Sequence, residues 1–310
     1  MIDKKIDLSV DIAGVKLKNP VMAASGTFGY GREYEGLLDI SALGAICTKG
    51  LTLNPRQGNE GIRLHETPSG LMNSIGLQNP GIRAFIENEL PTLNKLGPKV
   101  IANLSGGTEE EYVKGAVMLN ASPVDILELN ISCPNVKAGG MAFGLNPEDA
   151  GAITALVRRA APDKPLMVKL TPNAPDLNAV ALACVKAGAD ALSLVNTFKA
   201  LAIDIKTGKP IFDNVFAGLS GPCIRPIALR MLWELYDAVH SLSKPVPIVG
   251  MGGIASVDDA LEFLLAGASA IQVGSGTFVH PPLMNEIIYE IENYMAEKGK
   301  TKIRDLNIRL

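Results

Sequence analysis

Eight short apolar runs, each closed by a small or polar residue, constrain this chain more than any other feature. They cover residues 21–26, 45–50, 100–105, 126–132, 166–171, 191–197, 246–252 and 270–276. Most are apolar at consecutive positions, as strands buried on both faces must be. Helical patterning follows most of them. Thr108 followed by Glu109, Glu110 and Glu111 opens a helix over 108–119. Asn146 before Pro147 caps a helix over 147–160. Helices are also predicted over 175–187, 226–242, 256–265 and 283–295, with Gly188 and Gly267 as stops. Strands alternating with helices in this number predict a (β/α)8 TIM barrel, one domain over residues 1–310. An open doubly wound sheet is the competing fold. Its glycine loop belongs after the first strand, and Ala24-Ser25-Gly26-Thr27-Phe28-Gly29 does not fit the dinucleotide pattern. Residues 8–12 and 15–17, around Ala13-Gly14, predict a short N-terminal β-hairpin that plugs the bottom of the barrel. The long linkers 51–81 and 198–224 are read as functional loops.

With 47% hydrophobic residues the chain can bury a large core. A net charge of −3 without a basic block argues against nucleic acid. The first seven residues hold no apolar core of a secretion signal, and no apolar run is long enough to span a bilayer, so a cytoplasmic protein is expected. Cys47, Cys133, Cys184 and Cys223 are widely spaced, which argues against a local zinc or iron–sulfur site in this chain. His65, His240 and His280 lie beside no nucleophile motif, and no metal site is expected.

In a barrel of this kind, groups at the carboxyl ends of strands face the catalytic mouth. Lys49 and Lys169 end the second and fifth strands. Asn73, Asn103, Asn130 and Asn196 lie at strand ends or in the first long linker. Lysines and converging amides suit an electron-rich, planar ligand with alternating N–H and C=O groups, such as a pyrimidine or a flavin ring. Gly252-Gly253 and Gly274-Ser275-Gly276 follow the seventh and eighth strands, where backbone N–H groups commonly hold a phosphate. Cys133 stands three residues beyond Asn130 in a polar Ser-Cys-Pro-Asn turn, followed by a glycine-containing loop that could close over the mouth. It is a candidate proton acceptor. Cys47 and Cys184 read as core, and Cys223 is open. By strand parity Glu128 faces the interior beneath Asn130. A buried carboxylate needs a partner, and Lys169 on the next strand is the expected one.

These motifs together resemble the dihydroorotate dehydrogenase family. The resemblance is carried by Asn130-Ile-Ser-Cys-Pro-Asn135, Asn73-Ser-Ile-Gly-Leu-Gln-Asn-Pro-Gly81, Val195-Asn196-Thr197, Gly218-Leu-Ser-Gly-Pro222 and Gly250-Met-Gly-Gly-Ile254. It runs from about residue 6 to residue 295. A cysteine in place of serine, and the continuation Val-Lys-Ala-Gly-Gly-Met-Ala-Phe-Gly at 136–144, resemble the class 1B catalytic subunits. The membrane-bound class is similar in the barrel but has an N-terminal extension that this sequence does not show.

The resemblance implies an FMN barrel that oxidises (S)-dihydroorotate to orotate in pyrimidine synthesis. It implies Cys133 as the base that takes the C5 proton while a hydride leaves C6 for flavin N5. Lys49, Asn73, Gly76, Leu77, Asn130, Asn196 and Thr197 would hold the substrate, and Asn135 would touch it as well. Ser25, Lys49, Gly50, Asn103, Asn130, Lys169, Val195, Gly221, Gly252, Gly253, Gly274 and Ser275 would hold one FMN. A partner subunit with FAD and a [2Fe–2S] centre would carry electrons to NAD⁺, in a heterotetramer around a catalytic homodimer. Three other readings stay open on residues alone. They are a flavin barrel acting on another dihydropyrimidine, a Schiff-base aldolase using Lys49 or Lys169, and a barrel that only scaffolds a partner.

Overall fold

The computed structural model describes residues 6–131 and 143–309. Eight parallel strands close into a barrel: β3 (Val21–Ala23), β4 (Ala45–Cys47), β7 (Lys99–Leu104), β8 (Ile126–Asn130), β9 (Leu166–Lys169), β10 (Ala191–Leu194), β15 (Ile248–Met251) and β16 (Ala270–Val273). Seven lie inside one of the eight apolar runs, and β7 begins one residue before its run, at Lys99. Most strands are shorter than their runs because pairing stops where the chain turns out to form the rim. Barrel closure leaves no strand edge open and buries both faces.

The helices between strands have local causes. Thr108 caps Glu109–Asn120, its hydroxyl accepting from the Glu111 N–H at 3.2 Å. Asn146 caps Pro147–Ala160 in the same way, accepting from Asp149 N–H at 2.9 Å. Asp176 takes this role for Leu177–Lys186, so that helix starts two residues after the expected Pro175. Ser256 caps Val257–Leu265. Arg225–His240 and Leu283–Glu297 complete the predicted set. Short helical turns over Ile82–Ala84, Phe85–Glu89 and Leu90–Leu93 fill the gap between β4 and β7. No helix is predicted there from the sequence; Pro91 sits in the first turn of Leu90–Leu93, where its missing N–H costs nothing.

The N-terminal hairpin forms as expected: β1 (Val10–Ile12) pairs antiparallel with β2 (Val15–Leu17). Its Ile12 and Leu17 are fully buried against Met22, Ile101, Ile126 and Met167, closing the amino end of the barrel. The two long linkers are not merely loops. β5 (Leu64–Thr67) and β6 (Gly70–Asn73) come from the first, β11 (Phe198–Leu201) and β14 (Phe216–Ser220) from the second. They join in one antiparallel sheet in the order β11-β14-β6-β5. In it Asn73 is paired with Gly218, residues that are 145 positions apart in the chain. This sheet walls one side of the barrel mouth. Among the described residues, no helix is long and apolar enough to cross a membrane.

Candidate active site

Inward-facing residues stack in layers, as alternation on strands requires. The lowest layer is apolar and meets the hairpin. The next is polar and centres on Glu128, which is 0% exposed. Asn103 Nδ2 donates to its Oε2 at 2.5 Å and the Cys47 thiol at 3.1 Å. Ser193 Oγ donates to Oε1 at 2.8 Å and Gln272 Nε2 at 3.2 Å. Burial and the Glu128 charge push the Cys47 thiol well above its ordinary range, so it stays a donor. Cys47 is therefore core, as expected, but with a polar duty.

The expected Glu128–Lys169 ion pair does not form. Strand register is the reason: Glu128 stands level with Met167, and Lys169 stands level with Asn130. Lys169 thus belongs to the layer above, at the floor of a cavity, and neutral donors satisfy Glu128 instead.

That cavity, about 400 Å³, opens at the carboxyl ends of the strands. Of the residues expected around a cofactor, Ser25, Lys49, Gly50, Asn130, Lys169, Val195, Gly252, Gly253, Gly274 and Ser275 line it. Asn73, Gly76, Leu77, Asn196 and Thr197, expected around a substrate, line it too. Asn103 lies beneath, accepting from Asn130 Nδ2 at 3.2 Å. Gly221 lies outside the lining, where β14 passes Gly70 so closely that a Cβ would come within 2.7 Å of its Cα. Cys133 and Asn135 lie outside the described residues, as does most of the glycine-containing loop after them.

The lining is held from behind. The Tyr112 hydroxyl, on the helix Glu109–Asn120, donates to Asn130 O at 2.8 Å. Asn79 is buried and ties the loop that carries Gly76 and Leu77. Its Nδ2 donates to Leu77 O at 2.7 Å and Thr52 Oγ1 at 2.8 Å, and its Oδ1 accepts from Gly81 N–H at 2.8 Å. Leu77 sits there at φ 55°, a conformation a leucine holds only when its surroundings fix it. The glycine turn after β15 is braced by Arg225, which pairs with Asp259 and with Glu262, while Asp259 accepts from Ala255 N–H at 2.9 Å.

That turn leaves no room for a side chain. Gly253 has φ +79°, and a Cβ would stand 2.7 Å from Arg225 Cβ. Gly253→Ala is expected to destabilise the fold by about 1–3 kcal/mol. Thermal unfolding checks this, and an unchanged midpoint contradicts it.

A family profile described as dihydroorotate dehydrogenase matches residues 7–295. The chain belongs to the dihydroorotate dehydrogenase family. Its relatives are similar along their whole length. Dihydroorotate dehydrogenase B (NAD(+)), catalytic subunit, from Petrotoga mobilis is 56% identical over 301 residues, 97% of this chain and 98% of that protein. The proteins of the same name from Caldicellulosiruptor saccharolyticus and Geotalea daltonii are 53% and 52% identical, each over 97% of this chain and at least 97% of their own length. Within this dehydrogenase family the barrel and its rim account for the resemblance first seen in the motifs.

Sequence reasoning missed Gln272, Arg63 and Met251 in the cavity lining, and Asn79 behind it. Gln272 was discoverable: it alternates with Ala270 and Gly274 on an inward face. Arg63 was not, because it arrives through the sheet formed between the two linkers.

Proposed function

We propose that this chain oxidises (S)-dihydroorotate to orotate in pyrimidine synthesis, with one FMN bound in the cavity at the barrel mouth. The convergence of Lys49, Lys169 and the amides of Asn73, Asn130 and Asn196 on one cavity supports this most, in a chain matched to the family over most of its length. The residues fit a flavin on chemistry. Two cations and several amides face the cavity, and glycine backbone follows β15 and β16. The flavin, when bound, supplies the two-electron acceptor for the hydride leaving C6.

The chain's own residues do the rest. Lys49 neutralises the substrate carboxylate, and the amides of Asn73, Asn130 and Asn196 pair with its alternating N–H and C=O groups. Cys133 takes the C5 proton as thiolate. Lys169, 5% exposed beside Asn130, places positive charge against the electron-rich edge of the cofactor. Gly252, Gly253, Gly274 and Ser275 hold its phosphate.

Electrons then pass to NAD⁺ through a partner subunit with FAD and a [2Fe–2S] centre, in a cytoplasmic heterotetramer built on a homodimer of this chain. The names of the relatives, NAD(+)-linked catalytic subunits, support a partner subunit and NAD⁺ as the acceptor. Exposed Ile203, Ile205 and Phe216 near the linker sheet offer apolar surface for an interface. Purified alone, the chain is expected to bleach its flavin with dihydroorotate but to reduce NAD⁺ only after the partner is added. Equal NAD⁺ reduction with and without the partner contradicts the electron path.

A further inference from the structure

The loops after β3 and β16 meet at the barrel rim. Main-chain pairing between the two strands runs as far as Ala24 N–H, which donates to Val273 O at 2.9 Å. Beyond that point a tyrosine bridges them. The Tyr34 hydroxyl, from the helical turn Arg32–Tyr34, donates to Thr27 O at 2.9 Å and lies 3.2 Å from Thr277 Oγ1. Thr277 Oγ1 also lies 2.9 Å from Gly274 O, which accepts from Thr277 N–H at 3.1 Å. Each hydroxyl has one proton to donate and can still accept. Thr27 O can only accept, so Tyr34 donates there. Thr277 turning its proton to Tyr34 then completes the bridge, and Gly274 O keeps its N–H donor.

The bridge is held rigidly. The Tyr34 ring stacks on Phe28, with 4.3 Å between centroids and 17° between planes, and Tyr34, Phe28 and Thr277 are all buried. Gly274 packs against the facing loop: a Cβ there would stand 3.6 Å from Ala24 Cβ and 3.8 Å from Thr27 Cγ2. Both sides of this seam line the cavity, Ser25, Gly26 and Thr27 from one loop, Gly274 and Ser275 from the other.

We propose that Tyr34 is a positioning residue whose hydroxyl clamps the loop after β3 to the turn after β16, setting the Gly274–Ser275 backbone to receive the FMN phosphate. This rests on the FMN reading above. Tyr34 stands outside the cavity lining and acts through the two loops. Hydrogen bonds to an anion are short and weaken steeply with misalignment. A rim free to spread therefore loses grip on the phosphate before it loses the ring.

The test compares FMN with riboflavin, which has the same ring and no phosphate. Dissociation constants are measured by flavin fluorescence on the full-length protein for the parent, Tyr34→Phe, Thr277→Val and Thr277→Ser. Tyr34→Phe keeps the stacked ring and loses the hydroxyl. It is expected to weaken FMN about fivefold to tenfold, the size of one hydrogen bond, and to leave riboflavin binding unchanged. Thr277→Val should weaken FMN at least as much. Thr277→Ser, which keeps a hydroxyl, should bind FMN as the parent does. The split between the two ligands is a readout that a merely structural role would not move, since a loosened barrel weakens both. If Tyr34→Phe does not fold, the two Thr277 variants decide the matter. Tyr34→Phe binding FMN as tightly as the parent overturns the proposal, and so does an equal loss for FMN and riboflavin. A parent that binds riboflavin as tightly as FMN overturns the phosphate assignment beneath it. A parent that binds neither overturns the cofactor reading as well, so the failures are distinct.

Discussion

Cys133→Ser slows flavin reduction by dihydroorotate about 10²- to 10⁴-fold at neutral pH, the range expected when a general base is lost. A serine hydroxyl is far less acidic than a thiol and offers almost no anion at pH 7. The parent thiol, with an ordinary value of about 8.5, offers a small anionic fraction that grows as pH rises. The parent rate should therefore climb with pH and level off once the thiol is ionised. Orotate binding should change little, because in the proposed reading Lys49 and the asparagines, not the base, hold the ring. Anaerobic stopped-flow absorbance from about pH 6 to 10, paired with an orotate titration, separates the two effects. Equal rates in variant and parent, or a flat parent profile, contradict the assignment.

Glu128→Ala destabilises the protein by about 3–5 kcal/mol, the cost of breaking a buried charged network from one side. The carboxylate accepts from four donors that come from β4, β7, β10 and β16. Its removal strands them in a layer with no exposure to water: Asn103, Ser193, Cys47 and Gln272 are each 0% exposed. Each orphaned donor costs on the order of 1 kcal/mol or more, and the cavity left by the side chain adds to it. Urea unfolding of the FMN-free protein measures the loss without the cofactor's own contribution. A change under about 1 kcal/mol contradicts the view that this carboxylate ties the barrel strands together.

The barrel was legible because its signal is local. Each strand is an apolar run, each helix has its cap within reach, and Thr108, Asn146 and Ser256 all cap where their side chains suggest. The cavity lining was legible because strand ends in a barrel share one rim, which brings Lys49, Asn130, Lys169 and Asn196 together. What was not legible depends on pairing between distant segments. Asn73 meets Gly218 only because two linkers fold into one sheet, and no periodicity in either announces the other. Parity correctly put Glu128 under Asn130, but parity does not reveal register between neighbours. A shift of one layer separated Lys169 from Glu128 and left Cys47, Ser193 and Gln272, from three other strands, as partners. Gln272 could have been found by alternation on its strand, but small uncharged donors such as Cys47 and Ser193 leave no mark in a sequence.

The most direct measurement is the visible absorption spectrum of the purified chain, recorded anaerobically before and after dihydroorotate. A bound-flavin band that bleaches on addition, with orotate formed in equal amount, is the predicted result. A protein that takes up no FMN, or a flavin band that dihydroorotate leaves unchanged, contradicts the account.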